Sequence, residues 1–477
     1  MLIIRIIYLS TAFLTAFIIS FYNASPYEST LKHQECFMVL AGKKATQSGK
    51  VMLAHNNDLT GREVSFLEII PGKDDTGFVL IEYSNGLNIN LPARTYKVLI
   101  QRIEAGFEEG DAVAINENGV AIAGGVALGS DRNRSAKHLS PLNPNGLPGG
   151  IRYDILARSK TARECVEMLG KAYTQYGVSY PSGVGIADSN EIWYIECGGG
   201  KQWAAIRIPD SCYWVQANGY RIGLIDTTNK RYYLTSPNLL RFCADTGLWN
   251  PKDGPFNFTK VFGGGRTEKD GGLKYDRLRI WRAINLLSPS LGLKSDDENQ
   301  PTYLTPDKAL TELDLFSLLR DFYKNTDYDR SQKAPSDETI RSIATWRGVH
   351  SSLIVITPSE PIESTAILWS GIGSTFVTGF TPIPFGVSQI PSTYGSGGEG
   401  SVFYKFSDLA KYVSTDWQNI YAVQESFTEI EHYHLEELNK LVGNKDLYEI
   451  DDRKLNLFAE NGAKTILDNI NRWLCEK

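Results

Sequence analysis

From Cys36 to about Thr357 the chain is a succession of short apolar runs joined by polar turns of two to four residues, a punctuation that restricts the folds open to it. Asn116-Glu-Asn-Gly119 and Asp188-Ser-Asn-Glu191 connect neighbouring runs too tightly for a helical crossover, so the runs must pair antiparallel. Strands are expected at Cys36–Ala41, Lys50–Asn56, Phe78–Tyr83, Asp111–Asn116, Val120–Gly124, Gly183–Asp188, Glu191–Glu196 and Gln202–Ile208, and strand pairs return at Ser352–Thr357 and Thr365–Ser370. Helical spacing covers Tyr153–Gly177, Arg277–Leu287 and Pro306–Tyr323 between them. This order fits an α+β fold, a four-layer αββα sandwich of two antiparallel sheets between helix layers. The tail differs: residues 401–477 are charged and helical, read as a C-terminal extension that caps a catalytic domain of residues 36–400.

The chain opens with a nearly unbroken apolar stretch, Leu2–Phe21, carrying Arg5 near its start and followed by polar residues. This reads as a signal peptide ending near Ala24; a retained anchor is the alternative, since about 20 apolar residues span a bilayer. Cys36 follows a dozen residues later, where a hydrolase would place a nucleophile that becomes the first residue of the mature chain. An N-terminal cysteine carries a thiol beside an α-amine of pKa about 7.7–8.0 and can deprotonate itself without a histidine. Residues 25–35 would then be a propeptide. The competing readings of Cys36 are a disulfide half-cystine and a buried strand cysteine; a lipidated cysteine is disfavoured by the bulky His33, Gln34 and Glu35 before it.

The composition excludes several classes. A net charge of −6 without basic clusters interleaved with aromatics argues against a nucleic-acid partner. No G-x-S-x-G elbow, helical zinc pair or phosphate loop occurs, so neither a metal nor a cofactor is expected. His432 and His434 are two apart, which turns them away from each other on a helix. Six scattered cysteines do not make a disulfide scaffold; a single Cys197–Cys212 bridge and free buried thiols are equally open. Asn133 and Asn257 are glycosylation acceptors in a eukaryotic host.

What remains is a set of polar residues at strand ends. Asp58 closes the run VMLAHNND after Cys36, where a carboxylate can hold an α-amine toward the thiol; a solvated turn aspartate is the plain alternative. Asn218, after a strand, can offer its amide as an oxyanion donor or serve only as a turn former before glycine. Arg277 and Arg279 open a helix, and a guanidinium near Cys36 favours the thiolate.

With these residues in place, the runs CFMVLAGKKATQSGKVMLAHNND, GIRYDILARSKTARECVEMLGKAYTQYG and ADSNEIWYIECGGGKQWAAIRIPDSCYWVQANGYRIG resemble the dipeptidase-A family of N-terminal-nucleophile (Ntn) cysteine peptidases. WRGVHSSLIVITPSEPIESTAILWSGIGSTFVTGFTPI is similar to that family's later core segment, and the likeness runs collinearly from Cys36 to Pro391. The resemblance implies an αββα Ntn fold, an autocatalytically exposed cysteine, and hydrolysis of dipeptides with broad side-chain tolerance. It places the nucleophile and base on Cys36, the amine-orienting carboxylate on Asp58 and the oxyanion asparagine on Asn218. Similarity to the related penicillin-acylase and bile-salt-hydrolase branch puts the cysteine-facing arginine on Arg277, with Arg279 as the alternative. The expectation is an exported cysteine dipeptidase acting on small peptides, with no membrane partner after processing and a homo-oligomer left open. An Ntn amidase for non-peptide N-acyl amides and a non-catalytic exported binding protein are the rivals.

Overall fold

The computed structural model describes residues 35–104, 113–127, 133–263, 276–298, 300–331, 340–358, 361–395, 398, 400–443 and 450–475. The expected signal peptide, and the propeptide apart from Glu35, lie outside the described residues. Their strands are β1 (Glu35–Ala41), β2 (Val51–Asp58), β3 (Ser65–Ile70), β4 (Phe78–Glu82), β5 (Asn88–Pro92), β6 (Val98–Ile103), β7 (Val113–Asn116), β8 (Ala121–Ala127), β9 (Ser182–Ala187), β10 (Ile192–Cys197), β11 (Trp203–Ile208), β12 (Tyr213–Gln216), β13 (Tyr233–Thr235), β14 (Gly348–Ile356), β15 (Ala366–Ile372) and β16 (Thr381–Pro384). Helices α1 (Ile151–Leu156), α2 (Ala162–Tyr176), α3 (Leu278–Leu287), α4 (Glu312–Leu319), α5 (Val402–Thr415), α6 (Ile420–Gly443) and α7 (Asp452–Cys475) cover them. One sheet has the order β12-β1-β2-β14-β15-β16 and the other β13-β11-β10-β9-β8-β7-β6-β3, with β4-β5 a separate hairpin. Pairing between these strands is antiparallel, as the short turns require. At the turn joining β7 to β8, Gly119 adopts φ +72°, and Asn116 Oδ1 accepts from the N–H groups of Asn118 and Val120 at 3.0 Å each.

Alternation along the strands divides the apolar residues into three layers. Met38, Leu40, Val51 and Leu53 of the first sheet meet Leu99, Ile115, Ala123 and Ile206 of the second. The sheets approach closely at Gly185, where a Cβ would stand 2.7 Å from Met38 Sδ and 2.8 Å from Leu40 Cδ2. The outer face of the second sheet (Ile122, Val184, Trp193, Ile195) packs on α1 and α2 through Ile155, Cys165, Val166 and Leu169. The outer face of the first (Phe37, Val39, Met52, Val355) packs on α3 and α4 through Ile280, Ile284, Leu315 and Phe316. The fold is therefore the expected αββα sandwich.

One departure from the sequence reading has a local cause. The helical stretch Tyr153–Gly177 is two helices: Thr161 caps α2 by accepting from Glu164 N–H, and Asp188 Oδ2 accepts from Ala162 N–H at 2.8 Å, fixing a new start. The expected C-terminal helices are present and share in the core: Phe406 of α5, Phe427 of α6 and Ile466 of α7 belong to the same buried cluster as the residues between the sheets. A buried Arg320–Glu431 pair, at 2.5 and 2.7 Å, ties α6 to the end of α4.

The register of the first sheet makes its inward face a series of transverse rows. Trp214, Leu40, Leu53, Ile354, Leu368 and Ile383 form one wholly apolar row. The next row toward Cys36 is Gln216, Met38, His55, Ser352, Ser370 and Thr381. The row beyond it contains Cys36, Asn57, His350 and Ile372. The interior thus turns polar within one strand repeat, at the end where Cys36 lies.

Candidate active site

Cys36 is the second residue of β1 and is buried, facing the second sheet with Met38 and Leu40. Its Sγ donates to Asn57 Oδ1 at 3.7 Å, across the Cys36–Asn57 register pair. The same register sets Asp58 opposite Glu35, the residue before Cys36. In the chain as it stands the nitrogen of Cys36 is a peptide amide, because β1 begins at Glu35. Asp58 is buried and takes an ion pair from the equally buried Arg341, Nη2 to Oδ2 at 3.2 Å.

On the other edge of β1, Met38 pairs with Gln216, the last residue of β12, and Asn218 follows two residues later in the chain. Asn218 is buried, and its backbone N–H donates to Asp276 Oδ1 at 3.3 Å. Arg279 joins the two: its Nη1 donates to the carbonyl of Cys36 at 3.1 Å and its Nη2 to Asn218 Oδ1 at 2.5 Å. That bond fixes the Asn218 amide with its oxygen toward the guanidinium and its NH₂ donor end turned away. Asp276 balances the charge at 3.4 Å from Arg279 Nη2.

The arginine at the cysteine is thus Arg279, and the placement of Arg277 there is corrected. Helix α3 starts at Leu278 and packs Ile280, Ala283 and Ile284 on the first sheet. Arg279 lies one turn before Ala283 on that face, whereas Arg277, the N-cap, points outward to pair with Glu298 at 3.3 Å.

Glu196, at the end of β10 in the other sheet, braces the loop that carries Asn218. Its buried carboxylate accepts from Arg221 N–H at 2.7 Å and Ile222 N–H at 3.1 Å, while Gln216 Nε2 donates to the carbonyls of Ala217 and Gly219. Burial pushes the Glu196 carboxyl up to about 8, against the pull of those two backbone donors and the charge of Arg221. Sequence reasoning missed Arg341, Asp276, Asn57 and Glu196. Asn57 and Asp276 adjoin singled-out residues in sequence, but isolated charges such as Arg341 and Glu196 carry no local signal. The Cys197–Cys212 bridge does not form: no disulfide joins the two, and Cys197 Sγ instead accepts from Ser182 N–H at 2.9 Å. The two flank different sheets, with Cys197 ending β10 and Cys212 preceding β12. Among the described residues no cluster of three or more His, Cys, Asp or Glu side chains could hold a metal ion.

A family model for peptidase family C69 matches residues 35–450, beginning one residue before Cys36. The chain belongs to peptidase family C69. As a C69 peptidase it is similar to a "Probable dipeptidase" of Latilactobacillus sakei, 29% identical over 73% of each chain. It is also similar to a "Probable dipeptidase" of Salmonella dublin, 27% identical over 68% of this chain and 75% of the other. A "Dipeptidase A" of Lactobacillus helveticus is 25% identical over 76% and 78%. Among solved structures, a Caenorhabditis elegans N-acylethanolamine-hydrolyzing acid amidase ortholog aligns over 68% of this chain and 94% of its own at 12% identity, with a TM-score of 0.26 too low to carry an argument.

Two outcomes are expected of this C69 peptidase. Arg277→Ala breaks a partly exposed pair worth at most about 1 kcal/mol and should leave peptidase turnover nearly unchanged. Arg279→Lys keeps the charge but loses the fork that spans Cys36 and Asn218, and should lower kcat by roughly 10²-fold, the scale of one lost oxyanion donor. The reverse ranking in a turnover assay would contradict the geometry.

Glu196 has its folded pKa raised above its ordinary 4.5, so between about 4.5 and about 8 the folded state holds a proton that the unfolded state has released. Its contribution to stability is complete below that window and is lost as pH rises through it. Glu196→Gln cannot titrate and should flatten the decline in urea midpoint from about pH 5 to pH 8. An unchanged slope would show that Glu196 does not titrate there.

Proposed function

We propose that this chain is an exported dipeptidase of broad specificity whose nucleophile is an N-terminal Cys36, exposed by its own chemistry. The observation that carries this reading is the surroundings of Cys36: Asp58 is registered opposite the residue before it, and Arg279 is bonded both to the Cys36 carbonyl and to Asn218. Relatives named as dipeptidases, similar over about three-quarters of their length, support the substrate class. The apolar leader Leu2–Phe21 supports export.

In the precursor the Cys36 thiol attacks the carbonyl carbon of Glu35, the C–N bond breaks and a thioester forms. Water then cleaves the thioester, releasing a carboxylate on Glu35 and leaving Cys36 with a free thiol and a free amine. Asp58, opposite Glu35, holds that new amine toward the thiol, with its own charge held in place by Arg341. In turnover the amine takes the thiol proton and the thiolate attacks the dipeptide carbonyl. The donor end of Asn218 stabilises the oxyanion. The amine returns the proton to the leaving nitrogen as the amide C–N bond breaks, and water hydrolyses the thioester to restore the thiol.

Purified mature protein should hydrolyse unblocked dipeptides, lose that activity after alkylation by iodoacetamide, and retain it in EDTA. Turnover that survives alkylation, that needs zinc, or that is confined to N-acylated amides would contradict the reading.

A further inference from the structure

The polar row one strand repeat inside Cys36 is left unused by the reaction described above. His55 stands at its centre and is fully buried, yet neither ring nitrogen has a hydrogen-bond partner among the described residues. The same holds for Nε2 of His350, whose other nitrogen lies 2.9 Å from Ser65 Oγ. The two rings are 6.4 Å apart between centroids. Buried polar atoms in native proteins are almost always satisfied, so neighbouring orphans of this kind mark a place where a polar group docks.

The location says which group. His55 is two residues along β2 from Asn57, whose Oδ1 touches the Cys36 thiol, and residues so spaced share a face about 6.5 Å apart. That is the reach of a side chain on a residue whose carbonyl carbon is held against the sulfur. Burial, then the charges of His350 and Arg152, push His55 well below its ordinary value, and burial brings His350 down to about 3. Both rings are therefore neutral, each offering one N–H donor and one nitrogen acceptor.

We propose that His55 and His350 floor a subsite for the side chain of the acyl residue of the substrate, and that this subsite takes a neutral donor–acceptor group, a carboxamide or a hydroxyl. The inference rests on the dipeptidase reading for the reaction. Its test compares Asn-Ala with Leu-Ala, whose acyl side chains have nearly the same shape and differ in hydrogen bonding. In His55→Leu, or in His55→Met should that variant not fold, the ratio of kcat/KM for Asn-Ala over Leu-Ala should fall at least about tenfold, because the polar side chain then meets an unpaired wall. His55→Gln, which keeps a donor and an acceptor, should hold the ratio within about threefold of the starting protein.

The shift in melting temperature caused by free L-asparagine against free L-leucine reads the same preference without turnover. A protein that cleaves neither dipeptide would sink the proposed reaction, and the subsite would still be judged by these binding shifts. A ratio unchanged by the apolar substitutions, in turnover and in binding alike, would overturn the inference.

Discussion

A strand inside an antiparallel sheet cannot slide by one residue without turning every side chain to the opposite face, and β1 is held on both edges, by β12 and by β2. This double registration sets the position of Cys36. It brings Asp58 opposite the residue before the cysteine, while Asn218, just past the end of β12, is joined to the cysteine through Arg279. Met38 and Leu40, seated against Gly185 of the other sheet, anchor the strand from within. Cys36 therefore rests on a sheet whose two faces are both packed, and such a scaffold holds a side chain more tightly than a loop does.

Buried charge at such a place requires compensation, since removing one partner of a buried pair costs roughly 3–5 kcal/mol. Arg341 meets Asp58 and Arg279 meets Asp276, so a cation and an anion stand in pairs on each side of Cys36. Arg279 contributes more than charge, because its planar fork touches Cys36 and Asn218 at once and couples two strand ends through a helix start. Glu196 extends the bracing into the second sheet, gripping two consecutive backbone N–H groups of the loop that follows Asn218.

Much of this was legible in the sequence where the determinants are local. Short turns between apolar runs announced antiparallel sheets, and the pairing of VMLAHNND with the Cys36 strand follows from a hairpin. Strands β3, β5, β6, β13 and β16 were not foreseen, and β5 (NINLP) has too little apolar character to stand out. Whether Arg277 or Arg279 faces the cysteine depends on which side of α3 packs on the first sheet, and two arginines two residues apart do not reveal that from the sequence. Arg341 lies 283 residues from Asp58, and nothing around it marks it as different from a surface arginine. The helical character of the tail was plain in its charge pattern, but its share in the central core depends on contacts across the whole chain.

The proposed chemistry turns on the nitrogen of Cys36, an amide in the full-length chain that must become a free amine. Intact-mass analysis of the protein expressed from its full sequence, paired with Cys36→Ala made in the same way, measures that directly. Self-processing at Cys36 yields a wild-type chain whose first residue is Cys36 and a variant that keeps the residues immediately before position 36. An active wild-type protein that still carries those residues, or a variant cut at the same bond, would contradict it.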